Sequence, residues 1–286
     1  MSEKTRLVRT VSSLRSHVNK WKKLENTIAL VPTMGALHEG HLSLVKQAVK
    51  KADKVVVTIF VNPTQFGKNE DLSKYPRTEK QDREKLEALG VDLIFAPDVS
   101  QIYPEGFSTS IQVTGITETL CGQSRPGHFS GVATIVTKLL LQAMPDIAIF
   151  GEKDFQQLLL IKQVVSDLNI PVKIMGGAIV RESDGLAMSS RNAYLSDKHR
   201  TLAPQIYKTL KATAKDLSSG TSPKKCLDTA KALLTDYGFK IDYLEVRDTK
   251  ELLPLTGKID RPARLFIACH LGKTRLIDNI KVIPPK

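Results

Sequence analysis

Aromatic residues and long hydrophobic runs are scarce in this sequence. Phenylalanine, tryptophan and tyrosine account for 6% of the 286 residues, with a single tryptophan. Surfaces that bind single-stranded nucleic acid stack bases on aromatic side chains set among basic ones, and this chain shows no such interleaving. No stretch is long enough to span a bilayer, and the N-terminal segment lacks the apolar core of a secretion signal. We therefore expect a cytoplasmic protein that neither enters a membrane nor binds nucleic acid.

Cysteines and the common nucleotide-binding motifs are also few or missing. Cys121, Cys226 and Cys269 lie far apart and form no C-x-x-C pair, so reduced, isolated thiols are expected. Cys269 adjoins His270, but neighbours on a strand point to opposite faces, which argues against a nucleophile pair. There is no G-x-G-x-x-G, and Ile267 stands where the segment most like a phosphate-binding P-loop needs its first glycine.

The charge of the chain is strongly positive. A formal net charge of +12 arises from 42 Lys and Arg against 30 Asp and Glu. Such an excess suits nucleic acid, an anionic substrate or a basic surface without a specific partner. Basic residues cluster only weakly, as in residues 20–23 and 224–225, and most others are interspersed with acidic ones. A non-catalytic RNA-binding module therefore stays a minor alternative.

Residues 28 to about 180 alternate short apolar runs with helical stretches, which predicts a parallel sheet covered by helices on both faces. Strands are predicted at residues 28–31, 55–61, 91–96, 147–150 and 172–175. Helices are predicted at residues 41–52, 79–89, 131–143 and 155–168. We expect a doubly wound, Rossmann-like α/β sheet over residues 1–180, with ligands beyond the carboxyl ends of its strands.

The pattern changes after residue 180. Residues 181–192, RESDGLAMSSRN, are polar and non-periodic, as in a functional loop or a connection between domains. Two helical stretches follow at about residues 197–217 and 222–237, and then strands at residues 241–246, 264–268 and 274–280. Helices followed by consecutive strands predict a smaller α+β domain with an antiparallel sheet over residues 181–286.

The segment PTMGALHEGH, residues 32–41, connects the first predicted strand to a predicted helix. A helix N-terminus offers unpaired N–H donors and the positive end of the helix dipole, which together favour an anion. With a separation of three, His38 and His41 can share one face and donate together to phosphate oxygens. The H-x-x-H spacing could also suggest a metal, but no third ligand follows at a useful spacing. A phosphate site is thus preferred over a polar turn.

Polar side chains also follow later predicted strands. Gln65, in NPTQFG, carries an amide able to bind hydroxyls or a carboxylate, although a turn residue is the plainer interpretation. In GEKD, Lys153 can offer a point charge to phosphate. Asp154 can cap the following helix or accept ribose hydroxyls. Taken singly, such residues often lie in the solvated first turn of a helix. The prediction of a ligand site therefore rests on their shared position after strands.

Two basic segments complete the candidate site. Met188-Ser189-Ser190-Arg191-Asn192 offers two hydroxyls and a guanidinium suited to phosphate oxygens on a mobile loop. Arg125, in RPGHF, precedes a predicted helix and adds another basic group.

Taken together, the segments PTMGALHEGH, FVNPTQFG, YPRT, RPGHFSGV, GEKDFQQ and SDGLAMSSRN resemble the pantoate–β-alanine ligase (pantothenate synthetase) family. The motifs span residues 32 to 192. The family belongs to the nucleotidyltransferases that share a His-x-Gly-His motif with class I aminoacyl-tRNA synthetases. MSSRN resembles the mobile KMSKS-type loop of that group, with serine and arginine in place of the synthetase lysines.

The resemblance implies a reaction in two steps, with ATP as a substrate and Mg²⁺ as a cofactor. The carboxylate of D-pantoate attacks the α-phosphate of ATP, and the amine of β-alanine then displaces AMP from the pantoyl adenylate. It further implies a homodimer. The alternative within the enzymes is a nucleotidylyltransferase acting on a phosphorylated acceptor, which neutral amides at the acceptor site disfavour.

The resemblance also implies roles for particular residues. The catalytic groups are His41, His38 and Lys153. ATP contacts are expected from Met34, Gly35, Ala36, Leu37, His38, Glu39, Gly40, His41, Gly151, Glu152, Lys153, Asp154, Val180, Met188, Ser189, Ser190 and Arg191. Pantoate or β-alanine contacts are expected from Gln65, Gln157 and Arg125. Asp82, in the predicted helix after YPRT, matches a position linked with Mg²⁺, although a helix-surface aspartate is the plainer interpretation.

Overall fold

The structure is a computed structural model that describes residues 5–67 and 70–284. The chain forms two compact units. Unit 1 comprises residues 1–117, 125–152 and 157–178, and unit 2 comprises residues 118–124, 153–156 and 179–286. The last segment of unit 1 ends at residue 178, two residues before the domain boundary predicted at residue 180. The two short segments of unit 2 lie within the part of the sequence predicted as the first domain.

Unit 1 is built on a six-stranded parallel sheet of order β1-β4-β3-β2-β5-β6. Its strands are β1 Arg6–Val8, β2 Ile28–Thr33, β3 Lys54–Ile59, β4 Leu93–Phe95, β5 Ile147–Gly151 and β6 Lys173–Gly177. The five predicted strands are confirmed with shifted ends. The sequence prediction missed β1, because three residues at the sheet edge carry no readable alternation.

The helices of the described residues mostly match the predicted stretches. They are α1 Val11–Lys23, α2 Glu39–Val49, α3 Glu79–Ala88, α4 Val99–Ile102, α5 Cys121–Ser124, α6 His128–Ala143, α7 Phe155–Asp167, α8 Asp197–Leu202, α9 Gln205–Ser218 and α10 Pro223–Asp236. Short 3₁₀ turns lie at Pro63–Gln65, Leu72–Lys74, Glu152–Asp154 and Ser190–Tyr194. None of these helices combines the length and the apolarity that crossing a bilayer requires. Helix α1 and the short helices α4 and α5 were not predicted.

Both faces of the parallel sheet are covered. Ala29 and Val31 of β2 pack into one apolar cluster with Leu42 and Val45 of α2 and Leu86 of α3. The alternate residues of β2 point to the other face, where α6 packs on the strand and α1 packs against α6. A strand buried on both sides reads as a continuous apolar run, which is why IALV and VVVTI were recognisable in the sequence.

Unit 2 contains a three-stranded antiparallel sheet of order β7-β8-β9, formed by Lys240–Asp248, Ala263–Leu271 and Thr274–Val282. Helix α10 packs on β7 and on α9, and α9 packs on β9, around one apolar core. The predicted α+β arrangement with an antiparallel sheet is confirmed. The single predicted helix at residues 197–217 is two helices, α8 and α9, because Pro204 interrupts the backbone hydrogen bonding between them.

Candidate active site

The strand order of unit 1 defines where a ligand is expected. Chain order runs outward from β2 to β3 and β4 on one side and from β5 to β6 on the other, so the sheet changes direction between β2 and β5. In doubly wound sheets, ligands bind beyond the carboxyl ends of the strands at such a switch point. Strand β2 ends at Thr33 and β5 at Gly151. The loop that joins β2 to α2, residues 34–38, therefore starts at the predicted ligand-binding edge.

This loop turns sharply and holds an unfavourable backbone conformation. Gly35 has φ +81°, and Ala36, which has a side chain, has φ +50°. The left-handed conformation of a residue other than glycine costs about 1–3 kcal/mol and persists only where its surroundings enforce it. Thr33 contributes to that restraint: its hydroxyl accepts from Gly35 N at 3.2 Å and donates to Thr58 O at 2.7 Å.

The strongest restraint on the loop comes from Asp82 in α3. Its carboxylate is fully buried and accepts from Ala36 N and Leu37 N, at 2.8 Å each, through different oxygens. The Thr78 hydroxyl donates to the same carboxylate at 3.1 Å. From the next turn of α3, Lys85 Nζ donates to Leu37 O at 2.6 Å. The carboxylate expected to be a surface group or a Mg²⁺ ligand therefore binds the backbone of the loop.

The two histidines cap the helix that follows the loop. His38 is the N-cap of α2, and its Nδ1 accepts from Gly40 N at 3.1 Å. His41 Nδ1 in turn accepts from His38 N at 3.4 Å, so each ring satisfies one of the unpaired N–H groups of the helix start. The helix thus begins at Glu39, two residues before its predicted start at His41.

These hydrogen bonds determine where the imidazole protons lie. A ring nitrogen that accepts from a backbone N–H carries no proton, so both neutral rings hold their proton on Nε2. The ring centroids are 4.1 Å apart and the planes are inclined by 36°. The pair therefore presents two ε N–H donors close together at the N-terminus of α2, where the helix dipole also favours an anion. Phosphate oxygens are acceptors that suit this arrangement.

Other members of the predicted ATP loop have identifiable positions. Leu37 is buried in the apolar core beneath α2, whereas Glu39 points outward and pairs with Lys46 at 3.1 Å. Met34 lies against the Gln65 amide, with Nε2 3.1 Å from its sulfur.

Gln65 is held by a polar network that sequence reasoning missed. Its Oε1 accepts from Asn62 Nδ2 at 3.0 Å, which fixes which end of the amide faces Met34. Asn62 is buried; its Nδ2 also donates to Gly131 O at 3.2 Å, and its Oδ1 accepts from Tyr103 OH at 2.8 Å. Burial raises the pKa of Tyr103, and its hydrogen bonds oppose that shift only in part. The only sequence signal for this network was an asparagine directly before a proline, Asn62-Pro63.

Arg125 forms hydrogen bonds to Glu70 and Gln65 within unit 1. Its guanidinium forms a two-point pair with Glu70, at 2.7 and 2.5 Å, and donates to Gln65 O at 3.3 Å. His128 Nδ1 lies 2.9 Å from the same carbonyl oxygen. The substrate contact expected from Arg125 stays a prediction; the contacts of its guanidinium also hold the backbone of Gln65. Gln157, the other predicted amide, is half-buried in α7.

In unit 2, the predicted phosphate-binding lysine follows the end of β5. Lys153 is half-buried; its carbonyl accepts from Asn279 Nδ2 at 2.9 Å, and its ammonium lies 4.0 Å from a carboxylate oxygen of Asp154. The neighbouring Gln156 has a structural role. Its amide is bound to the backbone at Cys121 N and Thr119 O.

Residues 180–188 form a tight hairpin within unit 2. Met188 N donates to Val180 O at 3.0 Å, and Glu182 N donates to Leu186 O at 2.8 Å. Arg181 secures its base through a two-point pair with the buried Asp278, at 2.6 and 2.9 Å. The predicted phosphate-binding residues follow the hairpin.

The Ser189 hydroxyl accepts from Arg191 N and caps the 3₁₀ turn Ser190–Tyr194. This turn therefore places Ser190 and Arg191 in ordered backbone directly after the hairpin.

Comparison with known proteins decides the family. A profile of the family described as Pantoate-beta-alanine ligase matches residues 6–281. The pantothenate synthetase of Paramagnetospirillum magneticum is 52% identical over 285 residues, covering 99% of this chain and 100% of the relative. That of Rhodospirillum rubrum is 53% identical over 277 residues, covering 96% of this chain and 98% of the relative. The chain belongs to the pantoate-beta-alanine ligase family.

Solved structures of relatives agree. Pantothenate synthetase from Thermus thermophilus has a TM-score of 0.92 at 45% identity, covering 98% of this chain and 100% of that one. The Francisella tularensis enzyme, described as complexed with beta-gamma ATP and beta-alanine, has a TM-score of 0.83 at 38% identity, covering 96% and 97%. The Rossmann-like fold and the family predicted from six motifs are confirmed. These matches support the ligase over the nucleotidylyltransferase and the RNA-binding module.

Proposed function

We propose that this protein condenses D-pantoate with β-alanine at the expense of ATP, releasing pantothenate, AMP and pyrophosphate. Its family membership and the ATP and β-alanine named for the relative from Francisella tularensis support this function. The structural observation that carries the proposal is the pair of ε N–H donors of His38 and His41 at the helix start beside the sheet switch point.

The chemistry proceeds in two displacements. A carboxylate is a poor acyl donor, because oxide would have to leave; attack of the pantoate carboxylate on the α-phosphorus of ATP expels pyrophosphate and forms pantoyl adenylate. The amine of β-alanine then attacks the acyl carbon, and AMP leaves as the amide forms. Neither step needs a protein nucleophile. The residues are therefore required for positioning and for stabilising charge.

The first displacement builds negative charge on the phosphate oxygens. His38 and His41 donate to these oxygens, with His41 the main catalytic group, and Lys153 adds a positive charge. Ser189, Ser190 and Arg191 hold the triphosphate. The remaining nucleotide contacts come from Met34, Gly35, Ala36, Leu37, Glu39, Gly40, Gly151, Glu152, Asp154, Val180 and Met188.

The acid substrate is bound mainly by neutral amides. Gln65 and Gln157 suit the hydroxyls and the carboxylate of pantoate, and the network around Asn62 fixes the Gln65 amide. Arg125 supports this pocket through the Gln65 carbonyl while Glu70 holds its guanidinium. A second phosphorylated substrate would need positive charge at this place, so a hydroxy acid is the better fit.

Magnesium belongs to the substrate in this proposal. The described residues include no group of three or more His, Cys, Asp or Glu able to hold a metal ion, and Asp82 is buried beneath the loop. The described side chains therefore offer no all-protein cage for Mg²⁺. An ion carried by the phosphates of ATP keeps most of its own water and needs few protein ligands.

The proposal includes a cytoplasmic homodimer that binds neither nucleic acid nor membrane. ATP is available in that compartment, and the reduced state expected for the cysteines agrees with it. Light scattering coupled to gel filtration measures the assembly directly.

Pyrophosphate and AMP release, measured separately, test the function. With ATP and Mg²⁺, pantoate alone should support release of pyrophosphate up to one equivalent of bound adenylate. Addition of β-alanine should then give multiple turnovers with matching AMP and pantothenate. Pyrophosphate release that ignores pantoate, or AMP transfer to a phosphorylated acceptor, would overturn the ligase.

A further inference from the structure

Helix α3 directs two side chains of opposite charge at one segment of the loop between β2 and α2. Asp82 and Lys85 are three residues apart and so lie on the same helix face. The carboxylate accepts from Ala36 N and Leu37 N, and the ammonium donates to Leu37 O. Three polar groups of two consecutive loop residues are thus bound by one helix.

We propose that Asp82 and Lys85 are positioning residues that set the conformation of residues 34–38, and that Asp82 is not a magnesium ligand. The inference rests on the proposed function, since its consequence is the placement of His38 and His41 against ATP. Both residues act on the reaction through the loop and touch no reacting atom.

The chemistry of the loop requires an acceptor with two oxygens. The N–H groups of Ala36 and Leu37 are adjacent and point to different oxygens of Asp82. A carboxylate accepts at both positions, whereas an asparagine amide offers one oxygen and turns an N–H toward the second donor. These two bonds help to hold the left-handed backbone at Ala36, a conformation that nothing in its own side chain favours.

The fit at Gly35 supports a fixed arrangement. A Cβ added there would lie 3.2 Å from Asp82 Oδ2 and 3.2 Å from Ile59 Cγ2. The carboxylate therefore closes against the loop backbone and leaves no room for a hydrated cation between them.

The same contacts argue against metal binding. Asp82 has no exposed surface, and its two oxygens already accept from three donors of the protein. Magnesium dehydrates reluctantly and usually retains several waters. A ligand for such an ion has to be reachable by solvent, which Asp82 is not.

The test compares Asp82→Asn and Lys85→Met with Glu84→Gln and Lys80→Met, matched changes at exposed positions of the same helix. For each variant the rate of pantoate-dependent pyrophosphate release is measured across a range of Mg²⁺ concentrations. The rate of β-alanine attack on supplied pantoyl adenylate and the melting temperature are measured beside it.

We expect Asp82→Asn to slow adenylation by about 10- to 100-fold, the scale of a loss of about 1 Å in placement, with the Mg²⁺ midpoint unchanged. The amine step should be slowed much less, a difference that a general loss of stability would not produce. Lys85→Met should slow adenylation in the same sense, and Lys85→Arg should restore part of the rate. Glu84→Gln and Lys80→Met should match the wild type.

Several outcomes would overturn the inference. A raised Mg²⁺ midpoint in Asp82→Asn, with the rate restored at high Mg²⁺, would make Asp82 a metal ligand. Wild-type adenylation in Asp82→Asn would also refute it. If Asp82→Asn does not fold, the test rests on Lys85→Met. An unchanged adenylation rate in that variant would refute the proposal that these two residues position the loop. A wild-type protein without pantoate-dependent pyrophosphate release would instead refute the proposed function.

Discussion

The backbone N–H of His38 donates to Nδ1 of His41 at 3.4 Å, while Nδ1 of His38 accepts from Gly40 N. Each ring therefore uses one nitrogen to cap α2 and keeps its proton on the other. In each imidazole, Nδ1 therefore has a structural role as a helix cap, and Nε2 has the proposed role in phosphate binding. Substitutions that preserve one nitrogen position at a time can separate them.

The first prediction uses asparagine and glutamine at both histidines. Asparagine places an acceptor near the position of Nδ1, so His38→Asn and His41→Asn should keep the helix cap and a near-normal melting temperature. They lose the ε donor, so adenylation should fall by about 10²–10³, the scale for one preorganised donor. Single-turnover measurements of both half-reactions check this.

Glutamine provides the complementary variant. His38→Gln and His41→Gln retain a donor farther along the side chain but weaken the cap, and they should slow adenylation more than the attack of β-alanine on supplied pantoyl adenylate. Equal slowing of the two steps would contradict the proposal that these histidines bind the triphosphate.

Lys153→Ala is the second prediction. Lys153 is half-buried in the 3₁₀ turn before α7, and its backbone carbonyl is bound by Asn279, so truncation of the side chain leaves the backbone contact in place. Pyrophosphate release should fall by about 10²–10³ with little change in the melting temperature. Lys162→Ala, an exposed change in the following helix α7, serves as the control. A loss below about tenfold would demote Lys153 to a surface residue.

Much of the architecture was predictable because burial leaves a pattern in the sequence. Continuous apolar runs such as Val55–Val57 mark strands covered on both faces, and Gly35 marks the turn after β2. The helix start at Glu39 was misplaced by two residues, since a histidine N-cap has no common sequence signature.

The contacts that shape the site were not predictable, because they join residues distant along the chain. Asp82 reaches Ala36 across 46 positions, and Asn62 reaches Tyr103 across 41. An aspartate on a polar helix reads as a surface residue until the fold brings a pair of backbone donors to it. The motif match identified Asp82 as a special position but gave no sign of its contact with the loop backbone.

The third prediction concerns pH and the Glu70–Arg125 pair. Burial raises the pKa of Glu70, but the hydrogen bond and charge of Arg125 outweigh it, and the net pKa is lowered from 4.5. A lowered folded pKa adds stability that is present above the unfolded pKa and is lost as pH falls through the folded value. The free energy of unfolding of the wild type should therefore exceed that of Glu70→Gln by roughly 1 kcal/mol near neutral pH. The difference is small because the pair is partly exposed to solvent.

Urea unfolding at a series of pH values measures this difference. It should stay constant near neutral pH and shrink as pH drops below 4.5, the ordinary Glu value. Glu84→Gln, an exposed change on α3, controls for the loss of one charge. A difference that grows on acidification would contradict the sign of the shift.

The final prediction is that Gly131→Ala damages the pantoate pocket. Alanine normally favours a helix over glycine by about 1 kcal/mol. At this position of α6, however, a Cβ would overlap the backbone carbonyl of Thr64, in the 3₁₀ turn that carries Gln65. Gly131 O also accepts from Asn62 Nδ2, the group that orients the Gln65 amide. Displacing the turn should disturb both contacts.

We expect Gly131→Ala to raise the KM for pantoate by about tenfold and to lower the free energy of unfolding by about 1–3 kcal/mol, as overpacking does. The KM for ATP should change little, because the residues proposed to bind it are carried by other loops. Gly257→Ala is the matched control, since no atom lies within 4 Å of the added Cβ there. Equal increases in the two KM values would indicate a general distortion, and an unchanged KM for pantoate would separate Gln65 from the acid substrate.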